Sequence, residues 1–250
     1  MSRQQPVQTG DVALRTRGLT KRFGGLTALD HADVDVNEGE IVGLIGPNGS
    51  GKTTLFNCVT GAYAPDEGSV SLYGEDITGQ AENEIADKGL IRMFQKTRVY
   101  GKMTVEENLL VSAPEGSLLR PPGEETREKA DELLDYVDLG GLATVEAGRL
   151  SFGQQKLIEF AMALMAEPQV LLMDEPAGGI NPSMINKMLD YIRDVNDDDV
   201  TVFLIEHNMD FVMNVADRIY VLAHGEKIAE GPPEEIQTNE RVLDAYLGRE

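Results

Sequence analysis

The sequence predicts an α/β fold built around a parallel β-sheet. Three short apolar runs, EIVGLIG (40–46), VLLMDEP (170–176) and TVFLIEH (201–207), are typical of strands that are buried on both faces. Segments with helical character separate these runs, and strands that alternate with helices indicate a parallel sheet. With 250 residues, of which 41% are hydrophobic, the chain can form one sizeable packed core.

The first 80 or so residues combine antiparallel strands with one strand–loop–helix unit. Residues 1–11 are polar, and we expect them to be loosely ordered. VALRTRGLTKRFGG (12–25) predicts a strand that leads into a turn, and the following segment alternates apolar Val34 and Val36 with polar residues. GSVSLYGEDI (68–77) predicts another alternating strand.

The pattern is mainly helical from residue 81 to residue 150. EETREKADELLDYVDL (124–139) predicts an amphipathic helix. Its apolar face is formed by Ala130, Leu133, Leu134 and Val137. Near the end of the chain, RIYVLAHGEKIAEG (218–231) predicts a hairpin with its turn at His224–Gly225.

The composition excludes several kinds of partner. The net charge is −21, from 22 basic and 43 acidic residues, and such a surface repels nucleic acid and anionic lipid. It does not exclude docking on a membrane protein. The simplest explanation of the acidity is a well-solvated surface, although it also resembles that of proteins from halophiles that accumulate salt. The single cysteine, Cys58, excludes an internal disulfide, and we see neither a secretory signal nor a membrane span, so we expect a cytoplasmic protein.

A phosphate-binding loop follows the first apolar run. Residues 46–53 match the pattern G-x-x-x-x-G-K-[ST] between a buried strand and a helix, which makes a chance glycine-rich turn a weak alternative. Backbone N–H groups and the helix dipole favour bound phosphate at such a position. Lys52 is predicted to reach the β- and γ-phosphates, and Thr53 to bind Mg²⁺. The predicted nucleotide-binding residues here are Gly46, Pro47, Asn48, Gly49, Ser50, Gly51, Lys52, Thr53 and Thr54.

Two acids end the apolar run VLLMDEP. Asp174 is expected at the carboxyl edge of the sheet, where ligands bind, and is predicted to hold Mg²⁺ directly or through water. Glu175 is predicted to polarise the attacking water. The alternative is a pair of surface acids after a strand, but a phosphate loop requires a partner of this kind.

A second, weaker loop precedes a helix at LSFGQQ (150–155). Ser151 followed by Gln154 is a capping-box pair, so this segment by itself indicates only an ordinary helix N-terminus. Such a terminus can also offer N–H groups to an anion.

Four motifs in this order resemble the nucleotide-binding subunit of an ABC transporter. They are the phosphate loop, LSFGQQ, VLLMDEP and the strand that ends at His207, and the resemblance extends from about Leu14 to Gly248. It implies one ABC ATPase domain over 12–248, with a P-loop NTPase (RecA-like) core, an antiparallel β subdomain and an inserted helical subdomain. The expected core with its β subdomain covers 1–90 and 156–248, and the helical subdomain covers about 91–155.

The resemblance also implies roles for individual residues. In the family, two subunits enclose two ATP molecules head to tail, so the signature segment would contact the partner's ATP through Ser151, Gly153 and Gln154. Gln95, in RMFQKTR, matches the Q-loop, which touches Mg²⁺ or the water and links the site to the membrane partner; the alternative is a surface glutamine.

Two further matches have structural alternatives. His207 matches the switch histidine that contacts the γ-phosphate, although a lone histidine is often structural. Phe23, in KRFGG, matches the aromatic residue that stacks on adenine, although a core aromatic would have the same pattern.

Two departures from the common pattern indicate a branch of the family. Phe152 replaces the usual glycine in the signature, and AGGINP follows the catalytic acid, with Asn181 where aspartate is common. Both resemble ATPases of branched-chain amino-acid importers, as do FNCVTGAYAPDEG, IRMFQKTRVYGKMTVEENLLV and the ending AYLG. Urea and amide importers share these features.

The expected partners follow from the resemblance. They are a second nucleotide-binding subunit, identical or different, transmembrane permease subunits and, indirectly, an extracytoplasmic substrate-binding protein; the expected location is the inner face of the cell membrane. A soluble ABC ATPase of repair or translation would have coiled-coil insertions or tandem cassettes, which this chain lacks. A scaffold that binds ATP without hydrolysing it is disfavoured by Glu175 and His207.

Overall fold

The fold consists of two β-sheets surrounded by helices. A computed structural model describes residues 11–95, 97–114 and 122–247, so most of the segment expected to be loose (1–11) and Gly248 lie outside the described residues. The strands are β1 (Val12–Phe23), β2 (Leu26–Asn37), β3 (Ile41–Ile45), β4 (Glu67–Leu72), β5 (Glu75–Asp76), β6 (Leu90–Met93), β7 (Val170–Asp174), β8 (Thr201–Ile205), β9 (Arg218–Ala223) and β10 (Glu226–Gly231). The helices are α1 (Lys52–Val59), α2 (Glu82–Ala86), α3 (Val105–Leu110), α4 (Glu124–Tyr136), α5 (Phe152–Met165), α6 (Pro182–Asp197), α7 (Met209–Val215), α8 (Pro233–Thr238) and α9 (Glu240–Leu247).

The larger sheet has the strand order β10-β9-β3-β8-β7-β6. Strands β9, β3, β8, β7 and β6 pair in parallel, and β10 joins the edge as the antiparallel partner of β9. The predicted parallel sheet is therefore confirmed. The predicted closing hairpin is also confirmed, and both turn residues, His224 (φ 51°) and Gly225 (φ 85°), adopt positive φ.

Strand β6 was not predicted from the sequence. It lies in the segment that was interpreted as mainly helical, it has only four residues, and Arg92 interrupts its apolar run. Its pairing with β7 places it at the edge of the larger sheet. The interpretation was wrong here because four residues are too few to show a period, and the pairing supplies what the local pattern lacks.

The central strands separate two hydrophobic cores. Successive side chains of β3, β7 and β8 alternate between the two faces of the sheet, as strand geometry requires. One face packs against the helices α3 to α7 and the other against α1 and the smaller sheet. The smaller sheet is antiparallel, in the order β2-β1-β4-β5.

The described helices include none that is both long enough and apolar enough to cross a membrane.

The candidate site residues lie at one edge of the larger sheet. The carboxyl ends of β3, β7 and β8 meet at this edge, because these strands are parallel neighbours. This edge carries the phosphate loop after β3, two acids at the end of β7 and a histidine after β8.

Candidate active site

The phosphate loop connects β3 to α1 and folds around its own lysine. Lys52 is buried, and its ammonium group donates hydrogen bonds to the carbonyl oxygens of Gly46 (2.7 Å) and Pro47 (3.1 Å). Burial lowers the pKa of Lys52 below its usual value, whereas the carboxylates of Glu175 and Asp174 oppose that shift. The lysine is therefore electrostatically coupled to both acids at the end of β7.

Glycine is required in this loop for two physical reasons. Gly51 has a φ of 105°, and a β-carbon at this position would lie 2.5 Å from the carbonyl oxygen of Ala28. At Gly49 the φ is 79°, but no atom lies within 4 Å of the corresponding position. Gly51 thus allows close backbone contact, and Gly49 allows the turn.

Asp174 is held by an arginine that was not anticipated from the sequence. Arg92 donates from Nη2 to Asp174 Oδ2 (2.6 Å) and from Nη1 to Asn57 Oδ1 (2.6 Å), and both charged side chains are buried. The guanidinium also lies 4.8 Å from the ring centroid of Phe94. Arg92 therefore links the metal-ligand candidate on β7 to α1 and to the segment after β6.

Glu175 lies between two of the predicted site residues. Gln95 Nε2 donates to Glu175 Oε2 (2.7 Å), and His207 Nε2 lies 2.8 Å from Glu175 Oε1. The backbone of Glu175 adopts a φ of 52°, which is uncommon for a residue with a side chain. Three candidates from three distant segments of the sequence thus meet at one carboxylate.

A second buried carboxylate braces the loops around this cluster. Glu206 accepts hydrogen bonds from the N–H groups of Ala177 (2.6 Å), His207 (3.0 Å) and Asn208 (3.2 Å). Burial raises the pKa of Glu206, and the three N–H donors oppose the shift. Glu206 connects the turn that bears His207 to the loop after Glu175.

Phe23 lies at an exposed tip of the smaller sheet. Its side chain is near the turn between β1 and β2, its ring centroid is 5.4 Å from that of Tyr63, and the residue is 44% exposed. An exposed aromatic face is compatible with stacking on a base. The alternative of a core aromatic does not hold for Phe23.

The signature segment forms the N-terminus of α5. Ser151 Oγ accepts from the N–H of Gln154 (3.4 Å), and Gln154 Oε1 accepts from the N–H of Ser151 (3.1 Å), so the predicted capping box is present. Phe152 is 46% exposed. A β-carbon at Gly179 would lie 2.9 Å from its ring, so the two departures from the common pattern lie in contact with each other.

The donor atoms at the site suit Mg²⁺ in combination with nucleotide. Asp174 supplies a carboxylate, Thr53 a hydroxyl and Gln95 an amide oxygen, all hard oxygen donors. Among residues 11–95, 97–114 and 122–247, no group of three or more His, Cys, Asp or Glu side chains could hold a metal alone. Mg²⁺ in nucleotide sites is usually held by one or two carboxylates together with substrate phosphates.

Sequence reasoning missed Arg92, Glu206 and two residues of α5, Lys156 and Glu159. Each has a buried charged side chain with partners in distant segments or in the backbone, and Arg92 and Asp174 are 82 positions apart. The one available signal was charge within an apolar pattern, as in LIRM and KLIEF.

Comparisons with known proteins agree with this geometry. The family profile described as "ABC transporter" matches residues 29–178, and one described as "Branched-chain amino acid ATP-binding cassette transporter" matches residues 226–250. The chain is 42% identical over 248 residues to the high-affinity branched-chain amino acid transport ATP-binding protein BraF of Pseudomonas aeruginosa, and the match covers 94% of this chain and 97% of that protein.

Solved structures show the same fold. The ADP conformation of MJ1267, an ATP-binding cassette of an ABC transporter, matches with a TM-score of 0.87 and 37% identity over 95% of this chain and 99% of that chain. A dimeric post-hydrolysis structure of the ATP-binding cassette MJ0796, bound to ADP and Pi, matches with a TM-score of 0.79 and 26% identity over 88% of this chain and 98% of that chain. Together with the site, these similarities show that the chain belongs to the ATP-binding subunits of the ABC transporter family, in the branched-chain amino acid branch.

Proposed function

We propose that the chain hydrolyses ATP to ADP and phosphate with Glu175 as the general base. The observation that carries this proposal is the position of the Glu175 carboxylate, which is 2.7 Å from Gln95 Nε2 and 2.8 Å from His207 Nε2. Both neighbours can donate hydrogen bonds, so they orient the carboxylate and leave it able to accept a proton from water.

The other residues bind and orient the substrate. Lys52 exchanges its bonds to the loop carbonyls for bonds to the β- and γ-phosphates, and the N–H groups at the start of α1 complete the phosphate site. Asp174, Thr53 and Gln95 are the residues that would hold Mg²⁺. When bound, Mg²⁺ neutralises charge on the phosphates and orients them. Phe23 offers its exposed ring to the adenine.

A second copy, or a related subunit, completes each ATP site. Ser151, Gly153 and Gln154 lie at the N-terminus of a 14-residue helix, where N–H groups and the helix dipole favour an anion. Within the chain, the side chains of Ser151 and Gln154 bond to each other. The similar cassette MJ0796 is dimeric in a structure bound to ADP and Pi, which supports a dimer of this chain as well.

The proposed role is to power import of branched-chain amino acids at the inner face of the cell membrane, together with permease subunits. The identity to BraF over nearly the whole chain and the profile match at residues 226–250 support this cargo. Reconstitution with the permeases tests it directly. We expect transport of leucine and none of urea, and the reverse result would assign the chain to a urea importer.

The catalytic role is tested by Glu175→Gln. The amide keeps the size of the side chain but cannot act as the base, so we expect ATP to bind normally and kcat to fall by about a hundredfold or more. Glu132→Gln, an exposed position on α4, is the matched control and should hydrolyse ATP at the normal rate. Near-normal turnover by purified Glu175→Gln protein would remove Glu175 from this role.

A further inference from the structure

One lysine of the signature helix is completely buried. Lys156 lies in α5, five residues after Ser151, and has no exposed surface. Its ammonium group donates to the carbonyl oxygens of Phe94 (3.0 Å) and Gln95 (3.1 Å). Lysine is almost never fully buried unless it is paired, so this placement requires a compensating interaction.

Glu159 supplies that compensation. It lies one turn further along α5, its Oε2 is 3.6 Å from the Lys156 ammonium, and its Oε1 accepts from the N–H of Phe94 (3.2 Å). Burial raises the pKa of Glu159, while Lys156 and the N–H of Phe94 oppose the shift. The ion pair therefore contacts the backbone of two consecutive residues: the N–H and the carbonyl oxygen of Phe94, and the carbonyl oxygen of Gln95.

This backbone segment includes Gln95, whose side chain contacts the catalytic carboxylate of Glu175. Gln95 Nε2 donates to Glu175 Oε2, so a displacement of the Gln95 backbone changes the reach of its amide toward that oxygen. Lys156 and Glu159 belong to helix α5, whose N-cap is Ser151 of the signature segment. A continuous path of contacts thus runs from the signature segment, through Lys156 and Glu159, to Gln95 and Glu175.

We propose that Lys156 and Glu159 are positioning residues that hold Gln95 against Glu175 and thereby connect the signature segment to the catalytic carboxylate of the same chain. The proposal rests on the roles proposed above for Gln95 and Glu175. Contribution to folding alone is a weaker explanation, because buried ion pairs can often be replaced by neutral residues of similar size without loss of stability.

The direct test is the double variant Lys156→Met/Glu159→Gln. It removes both charges together, so no uncompensated charge remains buried. We expect the Kd for ATP to stay within about twofold, since the phosphate loop is untouched, and kcat to fall by about tenfold or more, because misplacing a catalytic contact by about 1 Å can cost about a hundredfold. Loss of ATP affinity without loss of kcat would contradict the proposal.

A matched control is available on the surface of the same helical region. Lys129 and Glu167 form an exposed ion pair (2.5 Å) between α4 and the residue two positions after the end of α5. Lys129→Met/Glu167→Gln makes the same two substitutions without touching the backbone of Gln95. This variant should keep kcat within about twofold of the original chain, because exposed ion pairs and other surface residues usually contribute little. An equal loss of kcat in both double variants would overturn the proposal.

The Gln95→Ala background separates positioning from folding. If the ion pair acts through Gln95, Lys156→Met/Glu159→Gln should lower kcat by less than about twofold in that background, since the interaction it positions is already absent. An undiminished loss there would overturn this proposal while leaving the role of Gln95 intact. A Gln95→Ala variant with normal kcat would contradict both.

A milder variant covers the case in which the double variant does not fold. Glu159→Asp keeps both charges of the buried pair but shortens the acidic side chain by one methylene, so it weakens the contact with the N–H of Phe94 without leaving an uncompensated charge. We expect a loss of kcat of about threefold that disappears in the Gln95→Ala background. A loss of kcat that is equal with and without Gln95 would again contradict the proposal.

Discussion

Glu175 combines an unusual backbone conformation with a crowded carboxylate. Its φ of 52° follows directly after the last residue of β7, and its N–H donates to the carbonyl oxygen of Ile205 (2.9 Å) on the neighbouring strand β8. Residues held in sparsely populated conformations are concentrated at functional sites, where the surrounding structure compensates the strain. This turn directs the side chain toward Gln95 and His207.

The glycines of the phosphate loop give a prediction at the same scale. Gly51→Ala places a β-carbon 2.5 Å from a backbone oxygen that cannot move away easily, in addition to the positive φ. Gly49→Ala incurs only the conformational cost, because its β-carbon meets open space. We expect the free energy of unfolding without nucleotide to fall by about 1 kcal/mol for Gly49→Ala and by about 3 kcal/mol for Gly51→Ala. Urea denaturation measures both, and equal losses would contradict the steric argument.

The residues that could be predicted from the sequence are those whose local pattern carries the chemistry. The phosphate loop, Asp174 and Glu175 each follow an apolar strand, and Ser151 and Gln154 form a recognisable cap. Arg92, Lys156 and Glu206 could not be predicted, because their roles arise from burial beside distant segments. A charge in an apolar run indicates a constraint but does not name the partner.

At the scale of elements, helix α6 explains one departure from the common pattern of the family. Asn181 is the N-cap of α6, its Oδ1 accepts from the N–H of Met184 (3.0 Å), and Pro182 occupies the first helical position. Asparagine and aspartate cap helices about equally well, so Asn181 can cap α6 as well as the more common aspartate would. The element therefore tolerates the change.

Substitutions at Asn181 test this explanation. Asn181→Ala removes the cap and should lower the free energy of unfolding by about 1 kcal/mol, whereas Asn181→Asp should be within about 0.5 kcal/mol of the original chain. Denaturation with urea distinguishes the two variants. If Asn181→Asp is as destabilising as Asn181→Ala, the side chain has a role other than capping.

The strands that the sequence predicted are present, whereas the 16-residue helix α6 (Pro182–Asp197) was not predicted. Strands β3, β7 and β8 were predicted from short apolar runs, and the closing hairpin was predicted from its turn at His224–Gly225. Strand β6 was missed because Leu90–Met93 contains Arg92, whose charge is compensated only by Asp174 on the neighbouring strand. A short edge strand is specified mainly by its partner.

At the scale of the whole molecule, the net charge of −21 implies strong self-repulsion at low ionic strength. We expect the melting temperature to rise with the concentration of potassium chloride. Most of the rise should occur below about 1 M, because at that concentration the Debye length has already fallen to about 3 Å and the repulsion is screened. Thermal unfolding at increasing salt measures this. A melting temperature that is flat between low and molar potassium chloride would count against halophilic adaptation as the reason for the acidity.

The most demanding claim about the whole molecule is that the signature segment serves an ATP bound by another subunit. Two helix N-termini, at Lys52 and at Phe152, are proposed to bind phosphate, and the proposed dimer assigns them to different ATP molecules. Mixing variants distinguishes this from an arrangement within one chain. A Lys52→Ala chain mixed with a Ser151→Ala chain has one intact site per heterodimer if the segment acts in trans, and none if it acts in cis.

The decisive measurement is therefore occlusion of ATP by two mixtures. The control mixture combines the Lys52→Ala/Ser151→Ala double variant with the original chain; it retains one intact site in cis and none in trans. Occlusion is preferable to turnover, because hydrolysis can require both sites. We predict that heterodimers in the mixture of single variants occlude nucleotide and those in the control mixture do not; occlusion by the control heterodimers alone would contradict the head-to-tail dimer.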